Sequence, residues 1–258
     1  MIVWLSSYPR SGNTLLRTAI HQVYGVKTRD LYFPDADPTW TEEMKQAASK
    51  VGFESMPSIE EIDSSDEICF IKTHELPTDV NPAIYVIRDG RDALTSYAHF
   101  VLTTELGFKS GDDSEEYRER FLATLRNLVI LNESYGGWSE HILRWTSRQA
   151  TTAIVRFEDL LQDPVNAIEI SIRQLGLDHL LTKMSDIFSP DNERLSLPQH
   201  FRKGKVGSFR QEMPPDIERE FWKHHGEVMR LMGYRDTSSD NFFARFLKPW
   251  NRAGSKAA

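Results

Sequence analysis

The opening two dozen residues constrain the fold most. MIVWLSS, residues 1–7, is an apolar run with Ile, Val and Trp, the composition of a buried strand. It breaks at YPRSGNT, where Pro9 and Gly12 mark a tight loop. From Thr14 onward, LLRTAIHQV sets Leu15, Ala19 and Val23 at helical spacing. A strand, a short loop bearing Gly, Ser and Thr, and a helix N-terminus make a site for a phosphate-like anion. The unpaired N–H groups of the first turn point at the anion, and the helix dipole favours its charge. In this arrangement Gly12 lets the backbone come close, Ser11, Asn13 and Thr14 add donors, and Arg10 adds positive charge. A Walker A loop would be longer and would end in Gly-Lys-Ser/Thr. The second glycine and that lysine are both missing, which argues against a γ-phosphate and its Mg²⁺. A plain βα turn also needs Pro and Gly, so the loop alone does not decide the matter.

The next segments repeat the strand–loop–helix theme. ICFIKTH, residues 68–74, reads as a second strand ending in Lys72, Thr73 and His74. Ligands of open α/β sheets sit outside the carboxyl ends of strands, so these three fall where chemistry would be done. AIYVIRDGRDALTSYAHFVL holds a third strand over 83–87, a turn at Asp89-Gly90, and a helix from about Asp92. Arg88 leaves that strand at its end, and Ser96 lies one helical turn beyond Asp92. An Arg fork with a hydroxyl suits a second phosphate, while Asp89, Arg91 and Asp92 cap and pair around the helix start. Between the first two strands, KTRDLYFPDADPTWTEE reads as an irregular loop running onto a helix over 41–51.

Further on, Phe121, Leu125, Leu128 and Leu131 give one helix an apolar face, and Trp138, Ile142 and Trp145 share one side of the next. TTAIVRFEDLLQDP is a fourth strand leading to a turn, followed by the amphipathic helix VNAIEISIRQLGL, stopped by Gly176. HFRKGKVGSFRQEM, residues 200–213, sets Arg202, Lys203, Lys205 and Arg210 around Gly204 and Gly207 without an apolar period. That describes a loop made to wrap an anion, although a basic surface loop has the same composition. A last helix is expected over 216–232.

Composition sets the outer bounds. At 258 residues, with 40% hydrophobic and 27% charged residues, the chain is an ordinary globular one able to bury a sizeable core. A net charge of −7 argues against a general nucleic-acid binder but not against a local basic pocket. The single cysteine, Cys69, excludes an intramolecular disulfide, and no charged n-region or long apolar run precedes the first strand. A cytoplasmic location is expected. The histidines have no ligand-like spacing, and no metal site is expected. One α/β domain over 1–235 is expected, followed by a basic aromatic tail over 236–258. Such a tail more often docks on its own domain or is disordered than forms a short helix with weak membrane-surface or partner contact.

Together YPRSGNT, IKTHELP, VIRDGRDALTSY and FRKGKVGSF resemble, in order and spacing, the signature segments of PAPS-dependent sulfotransferases. The resemblance implies a P-loop-like three-layer α/β fold, a central parallel sheet flanked by helices. It implies transfer of a sulfuryl group from 3′-phosphoadenosine 5′-phosphosulfate (PAPS) to a hydroxyl or amine of a small-molecule or glycosidic acceptor, without a metal. By position, Arg10, Ser11, Gly12, Asn13 and Thr14 correspond to the loop around the 5′-phosphosulfate. Arg88 and Ser96 correspond to the pair on the 3′-phosphate, and Arg202, Lys203 and Gly204 to a segment that clasps the same group. Phe157 matches a position near the adenine. His74 matches the general base and Lys72 the lysine that steadies transferring charge, with Arg10 where many members have a lysine.

Glu75 follows His74, and some branches use a glutamate base; imidazole needs no large pKa shift, which favours His74. Leu15 stands where cytosolic members carry a tryptophan, and Gly207-Ser208-Phe209 where Gly-Asp-Trp is more common. These departures point to a bacterial-type branch. The competing readings are a P-loop-type kinase, which needs the missing lysine, and a non-catalytic nucleotide binder, which needs no His74.

Overall fold

The computed structural model describes residues 1–32, 46, 48–49, 52–54, 62, 67–131, 135–180 and 205–236. Six strands form one sheet: β1 (Ile2–Ser7), β2 (Thr28–Asp30), β3 (Phe53–Glu54), β4 (Cys69–Thr73), β5 (Ala83–Ile87) and β6 (Thr152–Arg156). Their order is β3-β2-β4-β1-β5-β6, and every pairing is parallel. Parallel strands need crossovers, so helices cover both faces and the central strands are buried on both sides, while Ile154 on the edge strand β6 is exposed. β5 shows it: all five residues are buried, with Ile84 and Val86 in one core and Ala83, Tyr85 and Ile87 in the other.

One core joins α1 (Asn13–Tyr24), α5 (Phe157–Gln162) and α6 (Pro164–Gln174) to the sheet. The opposite core is built by α2 (Gly90–Phe100), α3 (Glu115–Ile130), α4 (Trp138–Thr146) and α7 (Pro215–Leu231). Trp138, Ile142 and Trp145 are fully buried there, as the periodicity of α4 predicts. The three-layer α/β architecture expected from the sequence is the one observed.

Three details differ from expectation. The stretch read as an irregular loop contains β2, a strand of three residues, too short to show an alternating pattern. Asp89-Gly90 is no separate turn, because Asp89 caps α2 by accepting from the Arg91 N–H and Gly90 is the first helical residue. A Cβ on Gly90 would lie 2.7 Å from Phe221 and 2.8 Å from Trp138, so close packing explains the glycine. In α3 the buried residues are Tyr117, Phe121, Leu125 and Val129, whereas Leu131 lies just past the helix end and is exposed. The expected helix over 41–51 falls largely outside the described residues, as do Arg202, Lys203, Gly204 and the tail over 237–258.

The sheet order positions the site. β1 lies between β4 and β5, with Ser6 opposite Thr73 and Ser7 opposite Val86. The loops leaving β1, β4 and β5 therefore emerge side by side, at the point where the strand order reverses. No described helix is long and apolar enough to cross a membrane.

Candidate active site

A cavity of about 370 Å³ opens over those three strand ends. Arg10, Gly12, Asn13, Thr14, Lys72, His74, Arg88, Ser96 and Phe157 all line it, so the structure brings together the described residues singled out from sequence, with one exception. Ser11 is fully buried and its hydroxyl has no partner among the described residues, but it does not line the cavity.

The β1–α1 loop is shaped from below. Gly12, at φ 109°, caps α1 without any side-chain hydrogen bond, leaving the first N–H groups of the helix at the cavity wall. A Cβ there would stand 2.4 Å from the Phe157 ring, so the close approach requires glycine. The Asn13 side chain faces inward, and its Nδ2 donates to the Leu5 carbonyl at 2.8 Å and to Ser7 Oγ at 3.4 Å. The donor expected from Asn13 thus braces the strand end, leaving the backbone to face an anion. Arg10 takes φ 64°, unusual for a residue with a Cβ. Its Nε donates to Ser96 Oγ at 3.4 Å, and its guanidinium lies 5.2 Å over the Phe100 ring.

Arg88 knits the site together. It is buried, donates to the Arg10 carbonyl at 3.1 Å and the Lys205 carbonyl at 3.0 Å, and stacks 4.3 Å from the Phe157 ring. The 207–209 segment is held by Asp92, whose carboxylate accepts from the Gly207 N–H at 2.6 Å, the Phe209 N–H at 2.9 Å and Ser208 Oγ at 3.0 Å. Sequence reasoning assigned Asp92 to a helix cap. Nothing local could have revealed a partner so distant in sequence.

At the end of β4, Lys72 pairs with Asp30 at 3.2 Å, and Arg17 pairs with the same carboxylate oxygen at 2.7 Å. Burial pushes the Asp30 carboxyl up, but Lys72 and Arg17 outweigh it and hold the group below its ordinary range. Burial lowers the Lys72 ammonium, with Asp30 opposing. Asp30 and Arg17 escaped the sequence reading because they lie on β2 and mid-helix, without motif spacing.

His74 has a defined tautomer. Its Nδ1 lies 2.7 Å from the Ser7 carbonyl, an acceptor, so Nδ1 carries the proton and Nε2 keeps its lone pair. Tyr32 stacks on the ring at 5.7 Å and Tyr135 meets it edge-on at 5.9 Å. Burial, reinforced by the Lys72 charge, pushes the imidazole down to about 3, so it is neutral at pH 7; the expectation of an unshifted imidazole is not met, and in this setting the ring is a weaker proton acceptor than a free histidine. From α4, His141 Nε2 donates to the His74 carbonyl at 2.8 Å while its Nδ1 accepts from the Tyr85 hydroxyl at 2.8 Å. Trp145 donates to the Glu75 carbonyl at 3.0 Å, so two residues of one buried helix face pin the strand end. The Glu75 carboxylate accepts from the Tyr32 hydroxyl at 3.0 Å.

The sequence profile described as Sulfotransferase domain matches residues 2–233. Sulfotransferase 1B1 of Mus musculus is 27% identical over 176 residues, covering 64% of this chain and 55% of that protein. Among solved structures, mouse sulfotransferase SULT7A1 complexed with PAP superposes with a TM-score of 0.57 at 17% identity, covering 93% of this chain and 87% of the other. Retinol dehydratase in complex with androsterone and inactive cofactor PAP gives 0.53 at 18%, covering 91% and 82%. The chain belongs to the Sulfotransferase domain family.

Proposed function

We propose that the protein is a PAPS-dependent sulfotransferase acting on a hydroxylated small-molecule acceptor, with His74 as general base. One observation carries the reading: a helix N-terminus without a side-chain cap, the basic side chains of Arg10, Lys72 and Arg88, and His74 converge on one cavity at the sheet's reversal point.

The donor set fits PAPS. The α1 N-terminus and Gly12 offer backbone N–H groups to a phosphosulfate, and Thr14 adds a hydroxyl. Arg88 and Ser96 suit the 3′-phosphate, and Phe157 offers a ring face near Gly12. Arg202, Lys203 and Gly204, outside the described residues, complete the clasp in this proposal. Bound PAPS supplies the sulfuryl group. Lys72 and Arg10 provide positive charge where negative charge grows, and the contribution is electrostatic. The Ser7 carbonyl keeps the His74 proton on Nδ1, so Nε2 can accept the acceptor's hydroxyl proton without first losing one of its own. That favours His74 over Glu75, whose carboxylate is engaged by Tyr32. Leu15 and the Gly207-Ser208-Phe209 segment support a bacterial-type branch.

The test is incubation with PAPS and a panel of hydroxylated acceptors, following release of the bisphosphate and the sulfated product. Acceptor-dependent release supports the proposal. Release that requires no acceptor, or transfer from ATP with Mg²⁺ in its place, contradicts it.

A further inference from the structure

A second cleft, of about 600 Å³, lies between α3, α4 and α7 and shares no lining residue with the cavity over the strand ends. Within it, Ser139 Oγ lies 2.7 Å from Nδ1 of His225. The other ring nitrogen, Nε2, lies 3.0 Å from the Val129 carbonyl, which can only accept. Nε2 therefore carries the proton, and Nδ1 takes the hydrogen bond of the Ser139 hydroxyl. A hydroxyl, an imidazole base and an acceptor that fixes the tautomer of the base are the parts that make a serine nucleophilic.

The surroundings support that chemistry. His225 is buried, its ring 4.9 Å from that of Phe221 and edge-on to Trp138 at 5.9 Å, so the base is held in place. Burial lowers the imidazole to about 4, which keeps it neutral at pH 7 but makes it a weaker base than a free histidine. Val129 belongs to the last turn of α3, the helix end that favours a positive charge, and this supports the imidazolium once it forms. Ser139 is the second residue of α4, whose first internal bond runs from the His141 N–H to the Gly137 carbonyl at 3.0 Å. The N–H groups of Ser139 and Glu140 precede that bond. They are the donors nearest in the chain to the oxyanion that attack by Oγ creates.

A Ser–His pair that only ties two helices together has no need of an open cleft. Ser139 is instead partly exposed and lines one, and beside it Ile130 and Leu143, 46% and 40% exposed, offer apolar surface to a short acyl chain. We infer that this cleft is a second, hydrolytic site, where Ser139 attacks uncharged short-chain carboxylic esters with His225 as its base. Ser139 Oγ bonds to the ester carbonyl carbon while its proton passes to His225 Nδ1. The ester C–O bond then breaks, and the departing alcohol takes that proton. Water resolves the acyl-serine: its oxygen bonds to the acyl carbon, and one of its protons passes through Nδ1 to Ser139 Oγ as the carboxylic acid leaves. None of these steps depends on sulfuryl transfer.

The test incubates the full chain at pH 7 with 4-nitrophenyl acetate and, separately, with a fluorophosphonate, whose P–F bond breaks as Ser139 Oγ bonds to phosphorus. Hydrolysis is expected at least about tenfold above that of Ser139→Ala, with the phosphonyl adduct on Ser139 by peptide mass spectrometry. In His225→Gln, with its fold checked by circular dichroism, labelling should slow by about tenfold or more. Equal hydrolysis by Ser139→Ala, no adduct on Ser139, or undiminished labelling in folded His225→Gln overturns the inference. Ser139→Ala removes only a partly exposed hydroxyl, so it decides the matter if His225→Gln fails to fold.

Discussion

The Asp92 carboxylate, fully buried on α2, accepts the backbone N–H of Phe209 at 2.9 Å and so fastens the basic loop before α7 to the helix that follows Arg88. Arg88 closes the same junction from the other side through the Lys205 carbonyl. Asp92→Ala leaves the Gly207 and Phe209 N–H groups without their acceptor, and is expected to destabilise the fold by about 2–4 kcal/mol and weaken bisphosphate binding. Urea unfolding beside a calorimetric titration checks both. Unchanged affinity would detach this loop from the cofactor site.

Gly12→Ala combines an unfavourable φ with a Cβ directed into Phe157. A loss of about 1–3 kcal/mol is expected, with cofactor affinity falling too. Phe157→Ala alone should cost about 3–5 kcal/mol because the ring is buried in the core, so the pair is read as a double-mutant cycle: in the Phe157→Ala background Gly12→Ala should cost less than in the parent, but not nothing. No cost there would show that the backbone conformation carries none.

His74→Asn should lower kcat by about a hundredfold or more, whereas Glu75→Gln should leave most activity. With the imidazole held near 3, the pH dependence of kcat/KM should show no histidine inflection near 6.5. An inflection there that vanishes in His74→Asn would contradict a neutral, buried base.

Buried histidines also set the acid limit of stability. His141 and His225 are both lowered to about 4, chiefly by burial, with backbone carbonyls opposing. Below pH 6.5 the unfolded chain takes up protons that the folded chain refuses. Stability is therefore complete above 6.5 and falls as the pH drops toward 4, by up to about 1.4 kcal/mol per pH unit for each histidine. Urea midpoints between pH 7 and 4.5 should show this slope, shallower in His225→Gln. An identical slope in the variant would exclude His225 as a contributor.

The strand–loop–helix units around β1, β4 and β5 were legible because each is a continuous buried run ending at a loop with Pro, Gly or charge. The site residues at those ends could be named for the same reason, since strand ends in a parallel sheet share one edge. What escaped depended on tertiary contact. β2 is three residues long, yet it carries Asp30 to Lys72. Asp92 resembles a helix-cap residue and instead holds a loop far away in sequence. His141 lies within a simple amphipathic helix, and only packing brings its Nε2 to the His74 carbonyl.

The most direct measurement is a calorimetric titration of the protein with 3′,5′-adenosine bisphosphate, set beside ATP with Mg²⁺ and repeated on Arg88→Ala. The account predicts tight binding of the bisphosphate, loss of that binding in Arg88→Ala, and weaker binding of ATP. Binding of ATP with Mg²⁺ without the bisphosphate, or bisphosphate binding indifferent to Arg88, would contradict it.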